Sequence, residues 1–251
     1  MNNECVSIIM PVYNGSKTIL KSIDSILKQT FEDYHLYVID DHSTDSTYEL
    51  LMKAYSENNK ITILRNVENR GVAFTRNVGI KNCSGKYIAF CDADDLWHSE
   101  KLNKQINLLE TSSIDVVCSN YQLIDKNDSV VGVVKQIEEI DYKKMLNKNH
   151  IGNLTGIYNV SKIGKVYQKN IGHEDYLMWL EILTKTNKAI CMQENLAMYR
   201  ITNSSLSSNK INAAKWTWVI YRKHLRLSII KSLCCFINYA LSGVIRKLKK
   251  S

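Results

Sequence analysis

Through the first half of the chain, short runs of consecutive apolar residues alternate with longer stretches in which apolar positions recur at three- and four-residue intervals. Val6–Met10, Leu36–Ile39, Ile61–Leu64, Tyr87–Cys91 and Val116–Cys118 are of the first kind, and they predict strands buried on both faces. Lys17–Lys28, Thr47–Ser56, Val72–Asn82 and Glu100–Glu110 carry the helical period, the last with Ser99 in the capping place. Alternation at this spacing predicts βαβ units with right-handed crossovers, hence an α/β fold with a mostly parallel central sheet flanked by helices.

The second half is less regular. Val130–Val134, Thr155–Asn159, Ala189–Met192 and Ala197–Arg200 suggest short strands, Glu174–Thr186 a helix, and Asn203–Ser208 a loop. With no internal repeat or linker, residues 1–208 read as one domain, and residues 209–251 as an appended helical tail.

Ligands of open parallel sheets sit beyond the carboxyl ends of the strands, so the residues that follow each apolar run carry the chemical information. They are Pro11-Val12-Tyr13-Asn14-Gly15 after the first run, Asp40-Asp41-His42-Ser43-Thr44-Asp45 after the second and Asp92-Ala93-Asp94-Asp95 after the fourth. Carboxylates, an aromatic and turn residues therefore converge on one crevice. Asp92 and Asp94 are hard oxygen donors of the kind that hold Mg²⁺ or Mn²⁺ against a diphosphate. Tyr13 is placed to stack on a base, Asp41 to accept an imide N–H, and Arg76 to reach a phosphate or steady the acids, while Gly71 and Gly79 permit close backbone approach. The plainer alternative makes Asp41 and Asp45 helix caps, Tyr13 a core aromatic and Arg76 the partner of a surface acid.

Charge changes the picture in one respect. The net charge is +8, but the last acidic residue is Glu194, and ten Lys and Arg residues follow Asn209 with no acid among them. The body is close to neutral and the tail is basic, which excludes a uniformly basic nucleic-acid binder. Seven cysteines form no CxxC or metal-ligand spacing, and no signal-peptide pattern precedes Pro11, so a reducing cytosol is the expected compartment.

Pro11-Val12-Tyr13-Asn14, Asp40-Asp41-x-Ser43-x-Asp45, Asn69-x-Gly71-x-Ala73-x-x-Arg76-Asn77-x-Gly79, Gly85-x-Tyr87-Ile88-x-Phe90-x-Asp92-x-Asp94-Asp95 and His173-Glu174-Asp175 resemble, in order and spacing, the family-two inverting glycosyltransferases with the GT-A fold. The resemblance runs from Val6 to Ser207, strongest in the first half, and recurs in Tyr199-Arg200 with the later serines. It implies that Pro11 and Tyr13 border a uracil, Asp41 bonds it, and Arg76 lies near the donor site. It further implies that Asp92 faces the ribose or sugar, Asp94 ligates the Mn²⁺ or Mg²⁺ bridging the UDP phosphates, and Asp175 is the catalytic base. Asp95 is left between contacting the donor sugar and capping the next turn. Two departures stand out: Thr202 occupies the place where many members carry a histidine, and the Gln-x-x-Arg-Trp signature of processive members is absent, which argues for transfer of one sugar.

The tail adds a location. Lys215, Arg222 and Arg226 fall at i, i+7 and i+11, a cationic stripe on a regular helix, accompanied by Trp216, Trp218 and Tyr221, aromatics that suit a membrane interface. The expectation is a helix or helical hairpin lying on the anionic cytoplasmic face of a bacterial inner membrane, the alternatives being a helix that spans it and a helix packed on the protein itself. Short length and basic tail resemble O-antigen and capsule enzymes that add a hexose from a UDP-sugar to undecaprenyl-diphosphate-linked GlcNAc. On this reading a chain ending at Ser208 keeps its whole donor site. The alternatives are a sugar-1-phosphate nucleotidyltransferase, whose Gly-rich basic loop after the first strand is missing, and a non-catalytic sugar-nucleotide-binding homologue, against which Asp92, Asp94 and Asp175 argue.

Overall fold

The computed structural model describes residues 4–201 and 210–248. Its first half is β1 (Val6–Val12), α1 (Ile19–Leu27), β2 (Tyr34–Asp40), α2 (Thr47–Tyr55), β3 (Ile61–Arg65), α3 (Val72–Asn82) and β4 (Tyr87–Phe90). These strands stand in the order β3-β2-β1-β4 and pair in parallel throughout. β1 is buried along its whole length, as a run of seven apolar or small residues in the middle of a two-faced sheet must be. Gly79 of α3 serves this packing, not a ligand: a Cβ there would meet Ile9 at 2.7 Å and Ile39 at 2.9 Å.

After β4 come β5 (Leu96–Trp97), α4 (Lys101–Thr111), β6 (Val116–Ile124), β7 (Val130–Val134), β8 (Glu139–Ile140), α5 (Tyr142–Asn147), β9 (Ile157–Asn159), α6 (Val160–Ile163), α7 (Glu174–Leu183) and β10 (Ala189–Arg200). They extend the same sheet as β4-β9-β6-β10-β5, with β9 antiparallel to both neighbours and β10 parallel to β6. The longest ladders among the described residues, β1–β2, β2–β3 and β6–β10, are parallel. The two short strands expected at Ala189–Met192 and Ala197–Arg200 are one strand, whose register on β6 shifts between Met192 and Ala197, where the polar Gln193-Glu194-Asn195 interrupts the apolar pattern. Ser99 is not the cap of α4; Glu100 holds that position, without a side-chain cap bond.

The tail forms α8 (Lys210–Val219), a π-helical turn at Ile220–His224 and α9 (Ile229–Leu248). The π-turn and the left-handed Arg226, at φ 51°, break the regular period, so the expected Lys215–Arg222–Arg226 stripe does not form. No helix among the described residues is long and apolar enough to cross a membrane.

Lys101 is an unusual member of the core. It is fully buried, its ammonium donates to Gln105 Oε1 at 2.8 Å and lies 3.8 Å from the Trp97 ring centroid. Burial pushes its pKa down to about 7 from 10.5. The unfolded chain therefore holds more protons than the folded one between those values, so this residue's contribution to stability improves as pH rises through that window. Chemical unfolding of the protein and of Lys101→Met should show the wild type gaining on the variant from pH 7 to pH 10.5, with a constant difference below pH 7. A difference that does not change with pH would contradict the buried ammonium.

Candidate active site

The loops after β1 and β2 are laced together. Asn14, at φ 51°, takes N–H bonds from Thr44 and Asp45 on its side-chain oxygen, and its own N–H donates to Ser43 Oγ at 2.9 Å. Gly15 N–H donates to Thr47 Oγ1, and Asp45 accepts from Ser16 and Thr47. Pro11 is buried inside β1 opposite Ile39, whereas Tyr13, 49% exposed, projects from the rim. The core-aromatic alternative for Tyr13 is thereby removed.

Asp41, 3% exposed, shapes the neighbouring loop. Its Oδ1 accepts from Asn66 Nδ2 at 2.7 Å and Arg70 N–H at 3.0 Å, and its Oδ2 from Gly71 N–H at 2.7 Å. Each carboxylate oxygen has two acceptor directions, so Oδ2 retains capacity for one further donor. Asp40 beside it pairs with Arg65 Nε at 3.1 Å and accepts the Ser43 N–H.

The Asp92–Asp95 turn closes by a bond from Asp95 N–H to Asp92 O at 3.1 Å and is clasped from behind by Arg200 at the end of β10. Arg200 N–H donates to Asp95 Oδ1 at 2.9 Å, its Nε to Asp94 O, and its Nη1 to Asp125 O beside the Asp128 carboxylate. Asp95 Oδ2 is buried with no hydrogen-bond partner, and burial, then the charges of Asp94 and Asp92, raise its carboxyl well above the ordinary range. Burial and the neighbouring Asp92 likewise push Asp94 up to about 6. Crowded, partly dehydrated carboxylates of this kind suit a hard divalent cation. Among the described residues no cluster of three or more His, Cys, Asp or Glu could hold one unaided. Asp92 and Asp94 offer the oxygen donors such an ion takes, and phosphate oxygens of a bound diphosphate would have to supply its remaining ligands.

Arg76 joins this turn to the start of α7. Only 5% exposed, it donates from Nη2 to Asp92 Oδ1 at 2.6 Å, from Nη1 to Gln168 Oε1 at 3.1 Å, and lies 3.5 Å from Glu174 Oε1. It is thus no partner of a surface acid. Gln168 is held a second way, with its N–H on Asn77 Oδ1 and its carbonyl accepting from Asn77 Nδ2. The strap leading to α7 is thereby pinned to α3. Burial raises the carboxyls of both Glu174 and Asp175, opposed in each by the Arg76 charge, and Asp92 is close enough to raise both further.

Gly172 and His173 enter α7 through left-handed conformations, φ 69° and 52°. Trp216 of α8 lies against them: the His173 and Trp216 ring centroids are 5.3 Å apart, and a Cβ on Gly172 would sit 2.4 Å from the indole. Tyr221 is fully buried and bonds Leu146 O and the Tyr176 hydroxyl, while Trp218 packs on Phe236. Of the aromatics expected at a lipid interface, Tyr221 is instead buried in the core that the tail shares with α5 and α7, whereas Trp216 and Trp218 are half-buried.

The structure thus brings Tyr13, Asp41, Arg76, Asp92, Asp94, Asp95 and Asp175 to one end of the sheet. Thr202 and the Asn203–Ser208 loop lie outside the described residues. Gln168, the clasping role of Arg200 and Trp216 escape a reading of local patterns, since Gln168 meets Arg76 across 92 positions and Arg200 meets Asp95 across 105.

Comparison with known proteins agrees with this geometry. The family described as Glycosyl transferase family 2 matches residues 7–168. The chain is 35% identical over 245 residues to an Escherichia coli protein named UDP-Glc:alpha-D-GlcNAc-diphosphoundecaprenol beta-1,3-glucosyltransferase WfgD, covering 97% of this chain and 95% of that one. Among solved structures, S. aureus TarS 1-349 in complex with UDP-GlcNAc superposes with TM-score 0.71 at 20% identity, covering 87% of this chain and 66% of that one. Mannosyltransferase PcManGT from Pyrobaculum calidifontis, in complex with GDP-Man and Mn²⁺, gives 0.68 at 18%, covering 91% and 66%. The family match over more than half of the chain and the near full-length relative, not the sheet itself, decide against the nucleotidyltransferase alternative: the chain belongs to glycosyl transferase family 2 and is a hexosyltransferase of the GT-A fold.

Proposed function

We propose that this enzyme transfers one hexose, glucose or galactose, from a UDP-sugar to a polyprenyl-diphosphate-linked, GlcNAc-type acceptor, with inversion to a β-linkage, in bacterial O-antigen or capsule synthesis. The reaction takes place at the cytoplasmic face of the inner membrane, with the protein peripheral to it. The observation that carries the reading is the Arg76 bridge, which holds the Asp-x-Asp turn and the start of α7 at one crevice. The near full-length likeness to WfgD, whose name states a UDP-Glc donor and a diphosphoundecaprenol acceptor, supports the donor and acceptor classes.

In this reading Pro11 and Tyr13 border the uracil, Tyr13 by stacking, and Asp41 accepts its imide N–H on the free side of Oδ2. Asp92, oriented by Arg76, meets the ribose or sugar, and Asp95 offers its unpartnered Oδ2 to the donor sugar. Asp94 holds the Mn²⁺ or Mg²⁺, which when bound neutralises charge on the departing diphosphate. Asp175 takes the proton of the acceptor hydroxyl as that oxygen attacks the anomeric carbon from the opposite side, so substitution occurs in one step. Its raised pKa brings it nearer the operating pH, where a general base is most effective.

The test is a panel of UDP-sugars offered with a short-lipid GlcNAc diphosphate, the product being read by mass and by anomeric proton coupling. One added hexose with β coupling is expected, with turnover lost in EDTA and in Asp94→Ala while the unfolding midpoint stays near that of the wild type. Full activity in EDTA, or an active Asp94→Ala protein, would overturn the metal assignment. An α-linked product would overturn inversion.

A further inference from the structure

We infer that the outward face of α9 is the surface by which the protein lies on an anionic phospholipid bilayer. The inference rests on the membrane-held acceptor proposed above and gives that reading a definite contact surface. Ile229, Ile230, Leu233 and Ile237 are 60%, 77%, 46% and 55% exposed, respectively. At 3.6 residues per turn they fall within an arc of about 100°. On the other side of the helix Ser232 and Cys235 are buried, and Phe236 and Tyr239 pack on the core that α9 shares with α5 and α7. The helix is therefore apolar on two sides, and only one is covered by the protein.

Charge selects the occupant. No Asp or Glu follows Glu194 in the chain, and Lys223, Arg226 and Lys231, just before and within α9, are exposed. A second copy placed symmetrically on this face would bring two such cationic patches, with no acid from either tail, into one interface, which is repulsive. An anionic bilayer instead takes the aliphatic stripe into its acyl boundary and the cations at its headgroups, the two signals that a stable interfacial helix combines. Since no described helix is long and apolar enough to cross a bilayer, α9 lies along the surface. With Tyr221 buried and Trp216 and Trp218 half-buried against His173 and Phe236, aliphatic side chains supply the immersed surface.

The experiment uses the full chain with vesicles of phosphatidylcholine alone and of phosphatidylcholine mixed with phosphatidylglycerol, read by co-flotation. Wild type should bind the mixed vesicles and bind the neutral ones weakly. Ile230→Ser combined with Ile237→Ser should lower affinity for mixed vesicles at least tenfold, while turnover on a water-soluble short-lipid acceptor is unchanged, both residues being exposed and away from the catalytic crevice. Lys223→Glu with Lys231→Glu should abolish the preference for phosphatidylglycerol. Vesicle binding unaffected by the serine pair would overturn the inference, as would a wild-type dimer that the pair converts to monomer. A protein that transfers hexose to the lipid acceptor in detergent yet ignores vesicles overturns the α9 surface and leaves the reaction standing. One that binds vesicles through α9 but glycosylates no polyprenyl acceptor overturns the reaction and leaves the surface standing.

Discussion

Asp175→Asn is expected to lower kcat by about three orders of magnitude, in the range a positioned general base contributes, with UDP-sugar KM little changed. The substitution is nearly isosteric and leaves the Arg76 bridge to Asp92 and Glu174 in place, so donor binding keeps its parts. What is lost, on the proposed role of Asp175, is the acceptor of the nucleophile's proton. The pH profile supplies an independent check. Burial raises the Asp175 carboxyl above its ordinary value of 3.8, against the lowering pull of Arg76, so the acid limb of kcat should lie above that value and activity should fall as pH drops through it. In the Asn variant the residual rate should lose that limb. Turnover close to wild type would move the base to Glu174, the other carboxylate whose pKa burial raises at the same helix start.

Removal of the tail should have the second large effect, and it differs from what the charge pattern alone suggests. A chain ending at Ser208 retains every proposed donor-site residue, yet it is expected to lose cooperative folding. Ile220 and Tyr221 are fully buried in the cluster that contains Tyr176, Leu177 and Trp179 of α7. Losing one large buried aromatic typically costs about 3–5 kcal/mol, against a total stability of about 5–15 kcal/mol. Deletion would also strip the indole from Gly172 and His173, two left-handed residues directly ahead of Glu174 and Asp175. Circular dichroism melting of the truncated chain should show no transition or a strongly lowered one, and Tyr221→Ala in the full chain should lower the midpoint by an amount that Tyr221→Phe largely restores. A truncated protein melting like the wild type would show that the tail is an appendage after all.

The parallel half of the fold and its polar rim are legible in the sequence because both are encoded locally. An apolar run followed by turn residues marks a strand end, and the βαβ rule then places successive strand ends on one side of the sheet. That is how Tyr13, Asp41, Asp92 and Asp94 are found from the chain alone. The interruption at Gln193-Glu194-Asn195 hides the continuity of β10, since a register shift on a paired strand has no signature in one strand's own pattern. Composition likewise identifies the tail as apolar and basic but cannot assign its two kinds of surface. Aromatic side chains suit a lipid boundary and a protein interior equally well. Only the facing surfaces of α5 and α7 decided that Tyr221 turns inward, with Trp216 and Trp218 half-buried against His173 and Phe236, while the aliphatic face of α9 stays outside. The Arg76–Gln168 and Arg200–Asp95 contacts belong to the same class. Each joins residues about a hundred positions apart, and such pairs come together only when the whole chain has folded, because the energy that selects them is the burial of charge and apolar surface in three dimensions.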